Sequence, residues 1–488
     1  MTEEILVNIT PQETRVAFVE NGVLQEVHIE RSHGKGITGN VYRGKVVRVL
    51  PGMQAAFVNI GLERTGFLHA GDILVNHVKE GTNPDEKGLI SNLVREGEHI
   101  VVQAIKDPIG TKGARLTTNI AIPSRNLVYL PGTDYVGISQ RISGDEDRKR
   151  LKKLVTEVRD QEQIKGGFIV RTAGESVTSP DVLQDIQFLC RIWERIEKQK
   201  TEVKLGLLHE DLPLAMRTLR DLATDEIERI RIDSRETYAR ARGLAMDLVP
   251  DVVQKMEYYP GERPIFDLYS VEDEIQKALD RAVPLKSGGH LVFDQTEAMT
   301  TVDVNTGAYV GKRNVEETLF KTNLEATQCI ARQLRLRNLG GIIIVDFIDM
   351  QQEEHRRQVM RALDKALGRD GVRALIADMS SLGLVEITRK RTRESLERTL
   401  TQPCSACSGR GVQKTSQTIC YEIFRELLRE SRQFEAEGLM VLASQAVIDM
   451  LEDEESTGLA DLQAFIGHPI QLQVEPAYTQ EMFDVVLL

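Results

Sequence analysis

The chain has 488 residues, 41% hydrophobic and 28% charged, ordinary values for a soluble globular protein of about three domains. Its 62 Lys+Arg against 74 Asp+Glu give a net charge of −12, which at face value argues against a partner as acidic as nucleic acid. The five cysteines, Cys190, Cys329, Cys404, Cys407 and Cys420, are too few and too irregular for a disulfide framework. No apolar run approaches the ~20 residues of a membrane span. The start, Met1-Thr2-Glu3-Glu4, lacks the basic and apolar regions of a signal peptide, so a cytoplasmic protein is expected.

In chain order, Thr14 to Glu20 and Val23 to Glu30 alternate like strands around Asn21-Gly22, a two-residue hairpin signal. From about Gly36 to Thr118 short strand-like runs continue, broken by Gly and Pro, and suggest a small barrel. A mixed region, 119–208, follows with a charged helix (Asp145 to Arg159), a strand (Gly167 to Arg171) and a second helix (Ser179 to Lys200). Residues 209–257 read as almost wholly helical. Beyond 262 the pattern becomes strand, strand, helix, strand, helix, with strands His290 to Asp294, Met299 to Asn305 and Gly341 to Phe347 and a helix Asn323 to Arg337. The run Ile342-Ile343-Ile344-Val345 fits a central strand covered on both faces. A last stretch, Ser416 to about Glu455, reads as mostly helical, with short strands after it.

Two of those strands end in carboxylates. Asp303 and Asn305 lie two apart and so share a strand face; Asp346 ends the apolar run, where an unpaired charge is costly. Such a pair can hold one Mg²⁺, which takes oxygen ligands and keeps several waters, with Asn305 supporting from behind. The plainer reading is a turn cap for Asp303 and an Arg partner for Asp346. Asp294, Glu297 and Asp349 are nearby alternative ligands. Arg332, Arg335 and Arg337, and the run Arg389, Lys390, Arg391 and Arg393, flank these acids and would suit a polyanionic substrate.

Residues 35–118 hold 11 Lys+Arg and 8 Asp+Glu. Val58 and Ile60 are expected in the barrel core. That turns Phe57 outward, where it could stack unpaired bases while Lys106, Lys112 and Arg115 follow phosphates. The competing reading keeps Phe57 and Phe67 in the core. Cys404 and Cys407 form a C-x-x-C-x-G-x-G knuckle, half of a four-ligand zinc site. Completing it from a second chain implies at least a homodimer; a redox pair and a metal-free remnant are the alternatives.

The runs Gly39 to Gly44, Leu50 to Gly61 and Gly66-Phe67-Leu68-His69 resemble the RNA-binding OB-fold barrel. Together with Thr300 to Gly307, Arg335 to Met350 and Cys404 to Gly411, they make nearly the whole chain resemble the ribonuclease E/G family, in its short form without a scaffold tail. The resemblance implies an α+β multidomain fold. Residues 1–35 with 209–278 would form a ribonuclease H-like subdomain, 36–118 the OB-fold barrel and 119–208 a 5′-sensor region. Residues 279–400 would form a deoxyribonuclease I-like catalytic subdomain, 401–415 a zinc link and 416–488 a small oligomerisation domain. It implies a Mg²⁺-dependent endoribonuclease that cuts single-stranded A/U-rich RNA to 5′-monophosphate and 3′-hydroxyl ends, in rRNA 5′-end maturation and mRNA decay. Asp303 and Asp346 would hold Mg²⁺, supported by Asn305. Phe57, Phe67 and Lys112 would contact RNA. Arg171 and Thr172, with Val128 and Arg141, would sense a 5′-monophosphate; a surface ion pair is the alternative for Arg171. Cys404 and Cys407 would share Zn²⁺ between chains.

Two rivals remain at this level. A non-catalytic RNA-binding scaffold would use the same barrel and basic runs but has no need of the carboxylates, and a phosphomonoesterase has no need of a barrel for long strands. The net charge does not oppose RNA. Residues 421–488 carry 14 acidic and 3 basic residues, which leaves the first 420 near neutral.

Overall fold

The computed structural model describes residues 2–74, 88–108, 113–142, 144–222, 226–307 and 315–488. The chain divides into two compact units, Met1–Leu396 and Glu397–Leu488. Among the described residues no helix is long and apolar enough to cross a membrane.

Among the described residues the first unit holds four sheets. Glu3–Ile9, Glu13–Glu20 and Val23–Arg31 form an antiparallel meander. Its second turn is Asn21-Gly22, with φ of 49° and 77°, the left-handed pair that a two-residue turn of this hand requires. Ile227–Ile232 and Met256–Tyr258 extend the sheet in parallel beside Glu3–Ile9. This corrects the helical reading of 209–257: helices Leu214–Leu222 and Arg235–Leu248 are present, but a strand runs between them. Ile227, Ile230 and Ile232 are buried in the sheet core; pairing with Glu3–Ile9 overrides the helix preference of the intervening Glu and Arg residues.

Five strands, Val41–Leu50, Ala55–Asn59, Gly66–His69, Arg115–Thr117 and His99–Lys106, close into a barrel, an arrangement consistent with an OB-fold. Gly66 is required here, because a Cβ would fall 2.4 Å from Leu116. A third sheet, Ile122–Pro123, Leu127–Leu130, Gly167–Val170 and Val136–Ile138, packs with helices Asp145–Gln161 and Ser179–Glu202 around Leu151, Val155, Ile186 and Leu189.

The fourth sheet orders Ala282–Pro284, His290–Gln295, Met299–Asn305, Gly341–Asp346, Leu384–Arg389 and Ala374–Ile376. Helices Val315–Leu336 and Glu353–Leu367 cover one face, packing Ile330, Leu334, Val359 and Leu363 on Val302, Val304, Ile343 and Val345. The other face is open: Ile342 is 49% exposed. The expected cover on both faces of this central strand is therefore absent from the described residues. The apolar run hides a period-two division into a buried and an accessible face.

In the second unit, Leu439–Ala443 lies between Ile470–Val474 and Phe483–Leu487, backed by helices Ser416–Gln433, Gln445–Glu452 and Ser456–Ile466. The expected helix over 416–455 is thus interrupted by a central strand, whose Leu439, Val441 and Ala443 are buried.

Candidate active site and RNA-contacting surfaces

Met299–Asn305 and Gly341–Asp346 run parallel, and Asp303 and Asp346 are register partners. Adjacent strands lie about 4.8 Å apart, so the two carboxylates open onto one space. Both are exposed, on the face away from the helices. Asn305 donates from Nδ2 to Asp303 Oδ2 at 2.9 Å, which fixes the carboxylate's rotation. Burial, then the carboxylates of Asp303 and Asp349, push Asp346 above the ordinary carboxylate range. Every charge among the described residues that acts on Asp346 is negative, so they supply no Arg partner. Like charges held side by side on strands call for a cation between them.

The other acids sort themselves by geometry. Asp294 is held by the Arg281 fork at 2.5 and 2.6 Å, and Glu297 sits in the turn before Met299, at the far end of the strand from Asp303. Asp349 is the acid whose charge reaches Asp346. His290 is the strand partner of Asn305, a neighbour that separation in sequence conceals. His355 is occupied elsewhere, stacked on Phe320 at 4.1 Å and bonded to Glu316. Among the described residues no cluster of three or more His, Cys, Asp or Glu forms a ready metal cage. Two exposed carboxylates still fit a hard cation that keeps most of its water.

The arginines expected to line this site do other work. Arg332 bonds Glu274 and the Leu24 carbonyl, and Arg335 bonds Glu26. Arg337 is buried over the Phe293 ring at 4.7 Å. Arg389 is buried against Asp370 and the Leu339 carbonyl. Burial lowers Arg393 to about 10. Arg391 donates to the Gly340 carbonyl and Lys390 is exposed. Most of this basic set therefore holds the helix Val315–Leu336 and the end of the sheet in place, because a guanidinium next to a packed seam finds carboxylates and carbonyls there.

On the barrel, Val58 and Ile60 are buried, whereas Phe57 and Phe67 are half-buried strand partners with ring centroids 6.1 Å apart, edge to face. Neither belongs to the barrel core cluster. Arg48 pairs with Phe57 and Arg115 with Phe67, so two rings lie between two arginines across four strands. Arg48 is exposed and was missed in the sequence because a bulge between Val46 and Arg48 shifts the register. Arg115 is paired with Asp72 at 2.9 Å. Lys112 lies outside the described residues.

The sensor candidates converge at the ends of Leu127–Leu130 and Gly167–Val170. Val128 pairs with Ile169. Thr172 Oγ1 is 3.3 Å from Ser139 Oγ, which also accepts the backbone N–H of Arg141. Arg171 donates to the Ser124 carbonyl at 2.6 Å and forms an ion pair with Asp221 at 2.7 Å. The ion-pair alternative for Arg171 thus describes its resting contact, with a partner fifty residues away that sequence could not name.

At the knuckle, Gly409 and Gly411 have φ of 83° and 76°, which turns the backbone amides of Gly411, Gly409 and Arg410 onto the Cys407 sulfur. These donors, with the Cys404 side chain, lower the Cys407 thiol below its ordinary value. A thiolate so supported fits a metal ligand. Cys420, by contrast, is buried in the second unit's core, and burial raises its thiol to about 11.

A sequence profile described as the Ribonuclease E/G family matches residues 121–392. Ribonuclease G of Escherichia coli strain K12 is 53% identical over the full length of both chains. Ribonuclease G of Haemophilus influenzae is 50% identical over 99% of each. Ribonuclease E of Escherichia coli is 37% identical over 88% of this chain and 41% of its own length. With the profile covering more than half of the chain and full-length relatives at this identity, the chain belongs to the ribonuclease E/G family.

Proposed function

We propose that this chain is a Mg²⁺-dependent, single-strand-specific endoribonuclease that cuts A/U-rich RNA to leave 5′-monophosphate and 3′-hydroxyl ends. The broader statement, an endoribonuclease hydrolysing RNA, follows from its ribonuclease G and ribonuclease E relatives. The observation that carries the finer one is the register pair Asp303 and Asp346 with Asn305 bonded to Asp303. A non-catalytic scaffold has no use for two unneutralised carboxylates on one open sheet face.

Asp303 and Asp346 would hold the ion, and Asn305 keeps Asp303 from rotating away. Bound Mg²⁺ supplies positive charge to the scissile phosphate and acidifies water. Phe57 and Phe67 offer ring faces to unpaired bases, with Arg48 beside them, and so select single strands. Arg171, Thr172, Val128 and Arg141 form the pocket for a 5′-monophosphate, whose presence stimulates cleavage. In this reading the sheet of 279–400 is a deoxyribonuclease I-like catalytic subdomain. The meander with 209–278 is a ribonuclease H-like support, 36–118 the RNA-binding barrel and 119–208 the sensor region. Zn²⁺ at Cys404 and Cys407 joins two chains through 401–415, and 416–488 assembles them. The natural substrates are rRNA precursors and mRNA in the cytoplasm.

The test incubates the protein with a short 5′-monophosphorylated A/U-rich RNA, with and without Mg²⁺, and identifies both product ends. Cleavage requires Mg²⁺, gives 3′-hydroxyl ends, and falls at least about 100-fold in Asp303→Asn, a loss of roughly 3 kcal/mol of transition-state stabilisation. A 2′,3′-cyclic phosphate, or a normal rate in Asp303→Asn, overturns the reading.

A further inference from the structure

Arg171 is held at both tips of its fork. One Nη bonds the Ser124 carbonyl and the other bonds Asp221 Oδ1. Each anchor is itself fixed. Ser124 Oγ donates to Asp185, a buried carboxylate that also accepts the Asn126 backbone N–H. Asp221 is gripped through both oxygens by Arg220, at 3.2 and 3.0 Å, and Arg220 in turn reaches Asp211 at 3.2 Å. Arg220 is buried. The helix that carries both, Leu214–Leu222, is tied at its start to Glu30 by the Leu214 N–H and the Arg217 guanidinium. The carboxylate facing Arg171 is therefore part of a clamped element from another layer of the unit.

We infer that Asp221 is the positioning residue of the 5′-phosphate pocket: it holds the Arg171 guanidinium in the orientation that receives a terminal phosphate. This rests on the sensor reading proposed above and names the residue on which that pocket's selectivity depends. A guanidinium has five N–H donors. The two anchors use two and leave three to meet a terminal phosphate in a fixed plane. A long side chain that binds from a disordered state loses rotamer freedom on binding; one already fixed does not. Asp221 touches no reacting atom; it acts through Arg171.

The experiment measures kcat and KM for matched 5′-monophosphate and 5′-hydroxyl RNAs. Asp221→Ala lowers the preference for the 5′-monophosphate about tenfold, the scale of one charge-assisted hydrogen bond, through KM rather than kcat. Asp221→Asn keeps an acceptor without the charge and falls between Ala and wild type, which also guards against a folding defect in the alanine variant. Arg171→Ala with Asp221→Ala together cost no more than Arg171→Ala alone. A wild-type preference in Asp221→Ala, a raised preference, or an equal loss on both RNAs overturns the role of Asp221. If the preference also survives Arg171→Ala, the sensor reading falls with it; if Arg171→Ala abolishes it and Asp221→Ala does not, only the role of Asp221 falls.

Discussion

Asp303 and Asp346 are equal in sequence and unequal in surroundings. Asp303 has an amide donor at 2.9 Å from Asn305, whereas Asp346 faces burial and two like charges that favour its protonated form. Asn305 therefore fixes the direction of one half of the pair. Removing it frees Asp303 to rotate and leaves both carboxylates in place. Asn305→Ala is expected to cut kcat by roughly 10–100-fold, the cost typical of losing a partner that orients a metal ligand, with RNA affinity near normal. Cleavage rates at saturating RNA together with a filter-binding affinity separate the two. A loss of affinity with kcat intact would place Asn305 in substrate binding instead.

At the scale of elements, the strand residues were legible because period-two patterning is local: Asp303 with Asn305, and Phe57 against Val58, follow from alternation alone. What crosses between elements was not. The pairing of Asp303 with Asp346 needs a parallel register, Arg171 meets Asp221 through tertiary packing, and the strand Ile227–Ile232 exists because Glu3–Ile9 lies beside it. The arginines near Asp346 were misread for the same reason. Arg335 belongs to a seam in which helix Val315–Leu336 meets strand Val23–Arg31 through Glu26, itself bonded to His28. Burial pushes the Glu26 carboxyl up, but the His28 bond and the Arg335 guanidinium outweigh it and hold it at about 2. A carboxylate held below its unfolded value stabilises the fold above the unfolded pKa and loses that contribution as pH falls through the folded one. Here the window runs from the ordinary 4.5 down to about 2, and the whole effect is on the order of 3 kcal/mol. Burial also lowers His28, so acid acts on both groups in the same direction. Glu26→Gln should therefore be less stable than wild type at pH 7, and the gap should close as pH approaches 2. Urea unfolding of both proteins across that range checks it; a gap independent of pH would mean that Glu26 contributes by packing alone.

The whole molecule separates its charges by region. Residues 421–488, with 14 acidic and 3 basic residues, lie in the second unit, whereas the carboxylate pair, the barrel and the sensor residues lie in the first. The acidity that argues against RNA thus belongs to a segment without any of the proposed RNA contacts. The same unit carries the cysteine knuckle. Cys404 is exposed and Cys407 half-buried, while Cys420 faces the core with its sulfur 3.8 Å from the Val447 carbonyl. A structural zinc takes about four ligands, and this knuckle offers two, with the backbone support of Cys407 already formed. On the proposed reading a second copy of the chain would supply two more with identical geometry, which would make the contact isologous and the assembly at least a dimer. Cys404→Ser, or a strong chelator acting on the wild type, should then shift the sedimentation profile to that of a single chain of 54.8 kDa. The zinc content of the wild type should be one ion per two chains, and both readouts should change together. A profile unmoved by the chelator and by Cys404→Ser would remove the shared site and leave 416–488 to assemble the protein through its own surface.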